Sequence, residues 1–479
     1  MAINRILFWL GRTLLLCTTL FAVSSLVAIT GRDFSGAIGM ATFGVSVGVF
    51  GFLLVVLSTG FDARESKAEA LLFLILFWIF VPVVLCLPFR FMGPSPSFLA
   101  AYFESVSAFT TTGASRLNPD ELSPTLLFWR SLVQWAGGVS VATFAVVVLA
   151  AVNQTGTGIH KSMLYTLKGG RLFSRLSGIG ALVSGVYLFL ALIGFILMTL
   201  GGAPAFDAIC LALSGVSTGG LTPRAGPLQL YVPPFAATVL AILCVLGAMN
   251  VAAIWDFLRF RKMTHTLRLI FNVEHRALLV ILSILILVGV VFSGLGSLGD
   301  LILDSAFFVS SAGFQYQVIS LDLIPPVILI TFALTGGSAL STAGGVKLIR
   351  ILLLFRHLGT ELSRLSHPSR VIPVTFRSRI IPDSAFLSIW MYFFAYTLAF
   401  GIGIAAFGVV GLPLDDAIAS AAASLSNVGP LLELTLPESG LTYAQFTNGQ
   451  MCIGAALMLM GRIEVLAALA LFLPNFWKQ

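Results

Sequence analysis

Charged side chains are scarce in this chain. Only 10% of its 479 residues are Asp, Glu, Lys or Arg, against 58% hydrophobic, and the mean hydropathy is +1.01. A soluble domain carries about 25% charged residues. So few charges cannot cover a water-facing surface of this length. An ordinary soluble protein is thereby excluded, and a polytopic membrane protein is expected. Cysteine is also sparse. Cys17, Cys86, Cys210, Cys244 and Cys452 lie in or at the ends of apolar runs without forming a close pair, and read as small core residues. There is no P-loop, no zinc-site spacing and no Ser-His-Asp set facing a cavity. An enzyme, a bound organic cofactor and a nucleic-acid partner are therefore not expected. The five histidines, His160, His265, His275, His357 and His367, fall in or beside polar loops and read as solvated.

Apolar runs are what the chain has in abundance. A spanning helix needs about 20 apolar residues. Ten stretches qualify: 8–29, 37–58, 70–89, 126–152, 178–200, 232–256, 277–298, 324–357, 385–411 and 449–474. The first, with Arg5 and Arg12 at its start, has the look of a signal peptide. A second apolar segment follows at once without a convincing small-residue cleavage site, so a retained helix is expected. Between the spans lie four apolar stretches too short to cross, 97–110, 205–217, 301–311 and 414–426, each ending in a glycine-containing polar turn. Non-helical backbone at membrane depth survives only where it lines water or packs on protein. Four such segments imply re-entrant loops sharing one aqueous path.

Charge gives the orientation. With an inside N-terminus, the inner segments hold Lys161, Lys168, Arg171 and Arg175, then Arg259, Arg261, Lys262, Arg268 and Arg276, then Arg350, Arg356, Arg364, Arg370, Arg377 and Arg379. The outer segments hold only Arg32, Arg90, Arg116 and Arg224, while Arg130, Lys347 and Arg462 fall within spans. This is the positive-inside pattern. It predicts a multi-pass protein of the cytoplasmic (inner) membrane with both termini cytoplasmic and all four short loops on the outer face. Acidic residues run the other way, with Asp33, Glu104, Asp207, Asp304, Asp415 and Asp416 among those outside. A negative outer mouth that concentrates cations is expected. The basic inner loops are explained by topology and membrane lipids alone, or by docking of a cytoplasmic partner.

After two N-terminal helices (1–69), one pattern of span, short segment, turn and span recurs at 70–177, 178–276, 277–384 and 385–479. The expected fold is all-α: four pseudo-repeats of helix, re-entrant pore loop and helix around one pore, plus two extra N-terminal transmembrane helices. The turns align as Thr110, Thr111, Thr112 and Gly113; Val216, Ser217, Thr218 and Gly219; Ser310, Ser311, Ala312 and Gly313; Ser426, Asn427, Val428 and Gly429. A dehydrated cation needs oxygen ligands on all sides, and a ring of backbone carbonyls can supply them. Aiming successive carbonyls at one axis demands unusual backbone angles, which glycine adopts readily. A short helix entering from outside turns its partly negative C-terminal end toward the pore.

The eighth span is too long. From Ile324 to His357 its 34 residues would make a helix of about 50 Å, against an apolar core of roughly 30 Å. Its middle, Gly336-Gly337-Ser338-Ala339-Leu340-Ser341-Thr342-Ala343-Gly344-Gly345, has poor helix propensity and should break the helix. Placed below the third turn, such a break would obstruct the pathway.

These residues resemble the superfamily of K⁺ transporters that includes TrkH, KtrB and the plant HKT proteins. The stretches 107–114, 128–138, 217–220, 427–430 and 461–464 carry the resemblance, which covers nearly the whole chain. The two extra N-terminal spans are closer to TrkH than to KtrB. The resemblance implies K⁺ as the transported ion, a homodimer, and a cytoplasmic ring of nucleotide-binding regulatory subunits. It implies K⁺ selectivity from the four filter glycines. Serine in place of the first goes with Na⁺ transport in the plant branch. It also implies an intramembrane gating loop built from Gly336, Gly337, Ser341, Thr342, Gly344 and Gly345, with Lys347 and Arg462 as charges of the gate. The chain differs from the family pattern at Leu340 and Ala343, where glycine is more typical, at Ser311, where asparagine is common, and at Leu431, where glycine is usual. Gated K⁺ uptake is thus the leading expectation. A less selective Na⁺/K⁺ pathway of the same fold and a non-conducting membrane subunit or secondary transporter are the alternatives.

Overall fold

The computed structural model describes residues 3–60, 67–94, 97–152, 172–260, 272–296, 298–317, 321–367, 375–376, 379–381, 383–435 and 440–463. Two helices, α1 (Ile3–Thr30) and α2 (Phe34–Leu57), form an N-terminal hairpin. Their backbones run close: a Cβ on Gly11 would lie 2.8 Å from the Gly51 carbonyl oxygen. Asp33 caps α2 through the Gly36 N–H at 2.9 Å and accepts the Thr125 hydroxyl at 2.5 Å. Those bonds hold its carboxyl below the usual aspartate range. At the other end of the hairpin, Arg5 and Glu69 form a buried ion pair. Thr125 and Glu69 belong to different helices of the first repeat, so both ends of the hairpin are tied to it.

The first repeat contains α3 (Lys67–Leu85), α4 (Leu87–Phe91), α5 (Phe98–Phe109) and α6 (Pro124–Val152). The second contains α7 (Leu172–Leu200), α8 (Ala205–Val216), α9 (Pro234–Ala248) and α10 (Val251–Phe260). The third contains α11 (Val273–Ser293), α12 (Leu298–Val309), α13 (Pro326–Leu334) and α14 (Leu348–Ser366). A two-residue β-hairpin, Thr375–Phe376 with Arg379–Ile380, leads to the fourth: α15 (Asp383–Val409), α16 (Leu414–Ser426), α17 (Leu431–Thr435) and α18 (Asn448–Ile463). The helices after the first three turns, α6, α9 and α13, each begin with proline, whose missing N–H is no loss in a first helical turn.

Burial separates two kinds of helix. The long helices leave apolar faces bare, with Leu16 68%, Phe52 59% and Val291 73% exposed, as lipid-facing surfaces require. The short helices α5, α8, α12 and α16 are mostly buried, apart from a few residues near their starts. Six helices among the described residues are long and apolar enough to cross a membrane by themselves.

Three expectations change here. The stretch 232–256 is not one straight span, since α9 and α10 meet at 106°. Asn250 is the cause: its side chain accepts the Ala252 N–H at 3.0 Å, so it caps a new helix inside the apolar run. The Asn250 N–H released by the bend donates to His275 Nε2 at 3.1 Å. His275 is therefore buried and bonded, not solvated, with 1% exposure. His160 and His265 lie outside the described residues. Four of the five cysteines are buried, but Cys452 is exposed on α18.

Candidate functional site

Each short helix ends in a tight turn with the same backbone. Thr111, Thr218, Ser311 and Asn427 have φ of +51°, +53°, +64° and +54°. A left-handed residue other than glycine is uncommon, so four at equivalent places mark a shared constraint. Two residues later, Gly113, Gly220 and Gly313 have φ of +80°, +82° and +68°. This pattern shifts the second turn by one residue. Its equivalent stretch is Ser217–Gly220, and Val216 is the last residue of α8. The sequence offers two adjacent glycines, and alignment on the first was one residue early. Gly429 has no such φ, and its lack of a side chain serves close approach instead.

The turns abut around a ring. A Cβ on Gly113 would lie 2.5 Å from the Gly219 carbonyl oxygen, and one on Gly220 would lie 2.0 Å from that of Ala312. On Gly313 it would meet Pro430 at 2.8 Å, and on Gly429 the Ala114 nitrogen at 2.4 Å. First touches second, second touches third, third touches fourth, and fourth touches first. The last junction carries a backbone bond, Gly429 N–H to Thr112 carbonyl at 2.6 Å. Only glycine permits such spacing.

Polar side chains buttress the ring. Gln134 on α6 donates from Nε2 to the Gly219 carbonyl at 2.7 Å and accepts the Ser214 hydroxyl at 2.7 Å. Asn427 donates to Thr112 Oγ1 and to the Met458 carbonyl, each at 3.0 Å. Tyr443 donates to the Gly429 carbonyl at 2.8 Å. One acidic residue in each of the first three short helices also faces inward. Glu104 accepts the Ser115 hydroxyl at 2.7 Å and the Arg116 N–H at 3.1 Å, with Arg130 Nη1 at 3.7 Å. Asp304 accepts the Tyr316 and Gln317 N–H groups, and Asp207 pairs with Arg224 at 2.7 Å. Glu104, Asp207 and Asp304 are buried and bonded, so these three brace the chain rather than charge an open mouth. Burial of a carboxylate demands partners, and the residues after the first three turns supply them.

Below the ring, the helix breaks between Leu334 and Leu348, and Gly336–Val346 is buried throughout. The loop closes on itself through Gly336 N–H to Val346 carbonyl at 2.8 Å and Val346 N–H to Leu334 carbonyl at 2.9 Å. It lies against the second, third and fourth turns, not the third alone, and Arg462 bridges it to the first. Thr218 donates to Thr342 Oγ1 at 3.0 Å, and the Gly344 N–H donates to Ser311 Oγ at 3.0 Å. A Cβ on Gly344 would lie 1.7 Å from the Ser426 carbonyl oxygen. Arg462 joins the first turn to the loop: Nε to Thr110 carbonyl at 2.6 Å, Nη2 to Thr111 Oγ1 at 2.6 Å, Nη1 to Thr342 carbonyl at 2.7 Å. Lys347 folds back to the Ser341 and Ala343 carbonyls at 3.1 and 2.6 Å. Glu464 lies outside the described residues.

The atypical loop residues have partners of their own. Leu340 is fully buried beside Val251 and Ala252, and its carbonyl accepts the Val251 N–H at 3.0 Å. Ala343 packs with Ala248, Leu278 and Leu348. Sequence reasoning puts Gly220 in the second turn but outside its four filter residues, and misses Gln134 and Glu274. Glu274 is buried and accepts the Ala339 N–H at 2.9 Å, anchoring the loop from α11. The doubled glycine of the second turn was the available signal for Gly220, and a lone amide in an apolar helix was the signal for Gln134.

The profile of the TrkH family, described as a cation transport protein, matches residues 48–479. The Trk system potassium uptake protein TrkH of Salmonella typhimurium is 30% identical over 487 residues, covering 100% of this chain and 99% of that protein. The protein of the same name from Halomonas elongata is 26% identical, with 100% of both covered. The crystal structure of the potassium transporter TrkH from Vibrio parahaemolyticus superposes with a TM-score of 0.87 at 26% identity, over 100% of both chains.

Proposed function

The chain belongs to the TrkH family of cation transport proteins, and from that premise we propose that it takes up K⁺ across the inner membrane through the ring of four turns. The observation that carries this reading is the ring itself: four tight turns, each on the C-terminal end of a buried short helix, each packed closely on the next at a glycine. Its carbonyls replace the water shell of K⁺, and a stiff ring of fixed size disfavours the smaller Na⁺. The helix ends add partial negative charge. The ring comprises Thr110–Gly113, Ser217–Gly220, Ser310–Gly313 and Ser426–Gly429.

The loop 336–347 is the gate. It lies against the ring from one side, and Arg462 places a cation between ring and loop. Conduction requires the loop to leave, which breaks the bonds of Thr342 to Thr218 and Arg462, and of Gly344 to Ser311. We further propose a homodimer, and cytoplasmic nucleotide-binding subunits that drive this movement from the inner loops. Both termini are then cytoplasmic. The four repeats 70–177, 178–276, 277–384 and 385–479 act as one pore, with 1–69 as an accessory hairpin.

The test is dual-isotope flux into proteoliposomes containing the purified protein. Uptake of ⁸⁶Rb⁺ in large excess over ²²Na⁺ is expected. Equal uptake of both ions would show an unselective pathway, and uptake of neither, with regulatory subunits present, would overturn the pore.

A further inference from the structure

The second turn is held differently from the other three. The helices that follow turns one, two and four cross the end of a short helix at a glycine. A Cβ on Gly137 would lie 1.8 Å from the Phe109 carbonyl oxygen, on Gly247 2.4 Å from that of Val216, and on Gly461 2.4 Å from that of Leu425. One helical turn before these glycines stand Gln134, Cys244 and Met458. Only Gln134 carries a side chain that is both a strong donor and a strong acceptor. It is fully buried, and so is Ser214. The Ser214 hydroxyl donates to Oε1 at 2.7 Å, which leaves Nε2 to donate to the Gly219 carbonyl at 2.7 Å.

Gly219 is matched to this amide. Thr112, Ala312 and Val428 stand at the equivalent place in the other turns and all have side chains. A Cβ on Gly219 would lie 2.4 Å from Gln134 Cδ, so the carboxamide fills the room a side chain would take. The Gly219 carbonyl also lies against Gly113, within 2.5 Å of where a Cβ would be. Without Gln134 the second turn has two adjacent glycines and no side chain to fix them. Glycine loses more conformational freedom on ordering than any other residue, so this turn is the one most ready to relax.

We propose that Gln134 is a positioning residue for selectivity. It touches no ion. It holds the Gly219 carbonyl toward Gly113, and thereby keeps the Ser217–Gly220 backbone at the spacing a dehydrated K⁺-sized cation needs. This rests on the ring being the selective element, and the experiment separates the two.

Rb⁺ and Na⁺ flux is compared in proteoliposomes of wild type, Gln134→Ala, Gln134→Leu and Ser214→Ala. Gln134→Leu keeps most of the volume but loses both the donor to Gly219 and the acceptor for Ser214. Ser214→Ala keeps Gln134 in place but frees its amide to rotate, and serves if Gln134→Ala fails to fold. The Rb⁺/Na⁺ flux ratio is expected to fall about tenfold in Gln134→Ala and Gln134→Leu, and less in Ser214→Ala, with Rb⁺ flux itself retained. A selective wild type with unchanged ratios in the variants overturns the role of Gln134 and leaves the ring standing. A wild type that does not discriminate overturns both.

Discussion

The ring of turns and the loop beneath it are both irregular backbone inside a helical molecule, and they are held in opposite ways. The ring repeats one solution four times. Each turn grows from its own helix, shares a left-handed second residue with the others, and leans on its neighbour's backbone. The loop occurs once. It hangs from single contacts made by different elements: Glu274 on α11, Thr218 and Ser311 in two turns, Gly247 and Ala248 at the end of α9, and Arg462 on α18. Redundant backbone packing resists small displacements. A set of separate single bonds can be released together by one movement. The first suits a sieve, and the second suits a gate.

The largest expected effect comes from breaking the ring where it tolerates no side chain. Gly220→Ala combines a left-handed backbone with a Cβ at 2.0 Å from the Ala312 carbonyl oxygen, so Rb⁺ flux should fall by more than about tenfold. Normal flux in that variant would remove Gly220 from the ring. Next comes the junction between the two regions. Arg462→Ala removes the bonds to Thr110, Thr111 and Thr342 at once, and basal flux without regulatory subunits should rise about fivefold. A smaller rise, about threefold, is expected for Glu274→Ala, which frees only the Ala339 end of the loop. Glu274→Gln keeps an acceptor for that N–H and should behave as wild type. If Glu274→Gln opens the pathway as much as Glu274→Ala, charge rather than the Ala339 bond is what Glu274 contributes.

The two regions were also unequally legible from sequence. The short helices and their turns stood out because a run too short to span, closed by glycine and hydroxyl residues, has few other uses in a membrane protein. The register of the second turn did not, because Gly219 and Gly220 are indistinguishable until the backbone shows which one is left-handed and which one makes room for Gln134. The break at 336–347 was visible from its glycines and from an overlong span. Its reach beyond the third turn was not, since it depends on side chains far away in sequence, Arg462 and Glu274 among them. The bend at Asn250 was hidden for a different reason. One polar residue in an apolar run reads as a blemish, and only the packed structure shows it capping a helix and handing its N–H to His275. The carboxylates of the short helices were placed on the correct elements but given an open mouth to face. Position along the chain does not reveal that Ser115, Arg116, Tyr316 and Gln317 fold back to meet them.

The division of labour between ring and loop is tested most directly by dual-isotope flux through a variant shortened between Gly336 and Gly345. Basal Rb⁺ flux should rise while the Rb⁺/Na⁺ ratio stays at the wild-type value, because the sieve is left intact when its gate is cut away. Unchanged flux would deny the loop a gating role, and a ratio that collapsed toward unity would place selectivity in the loop rather than in the ring.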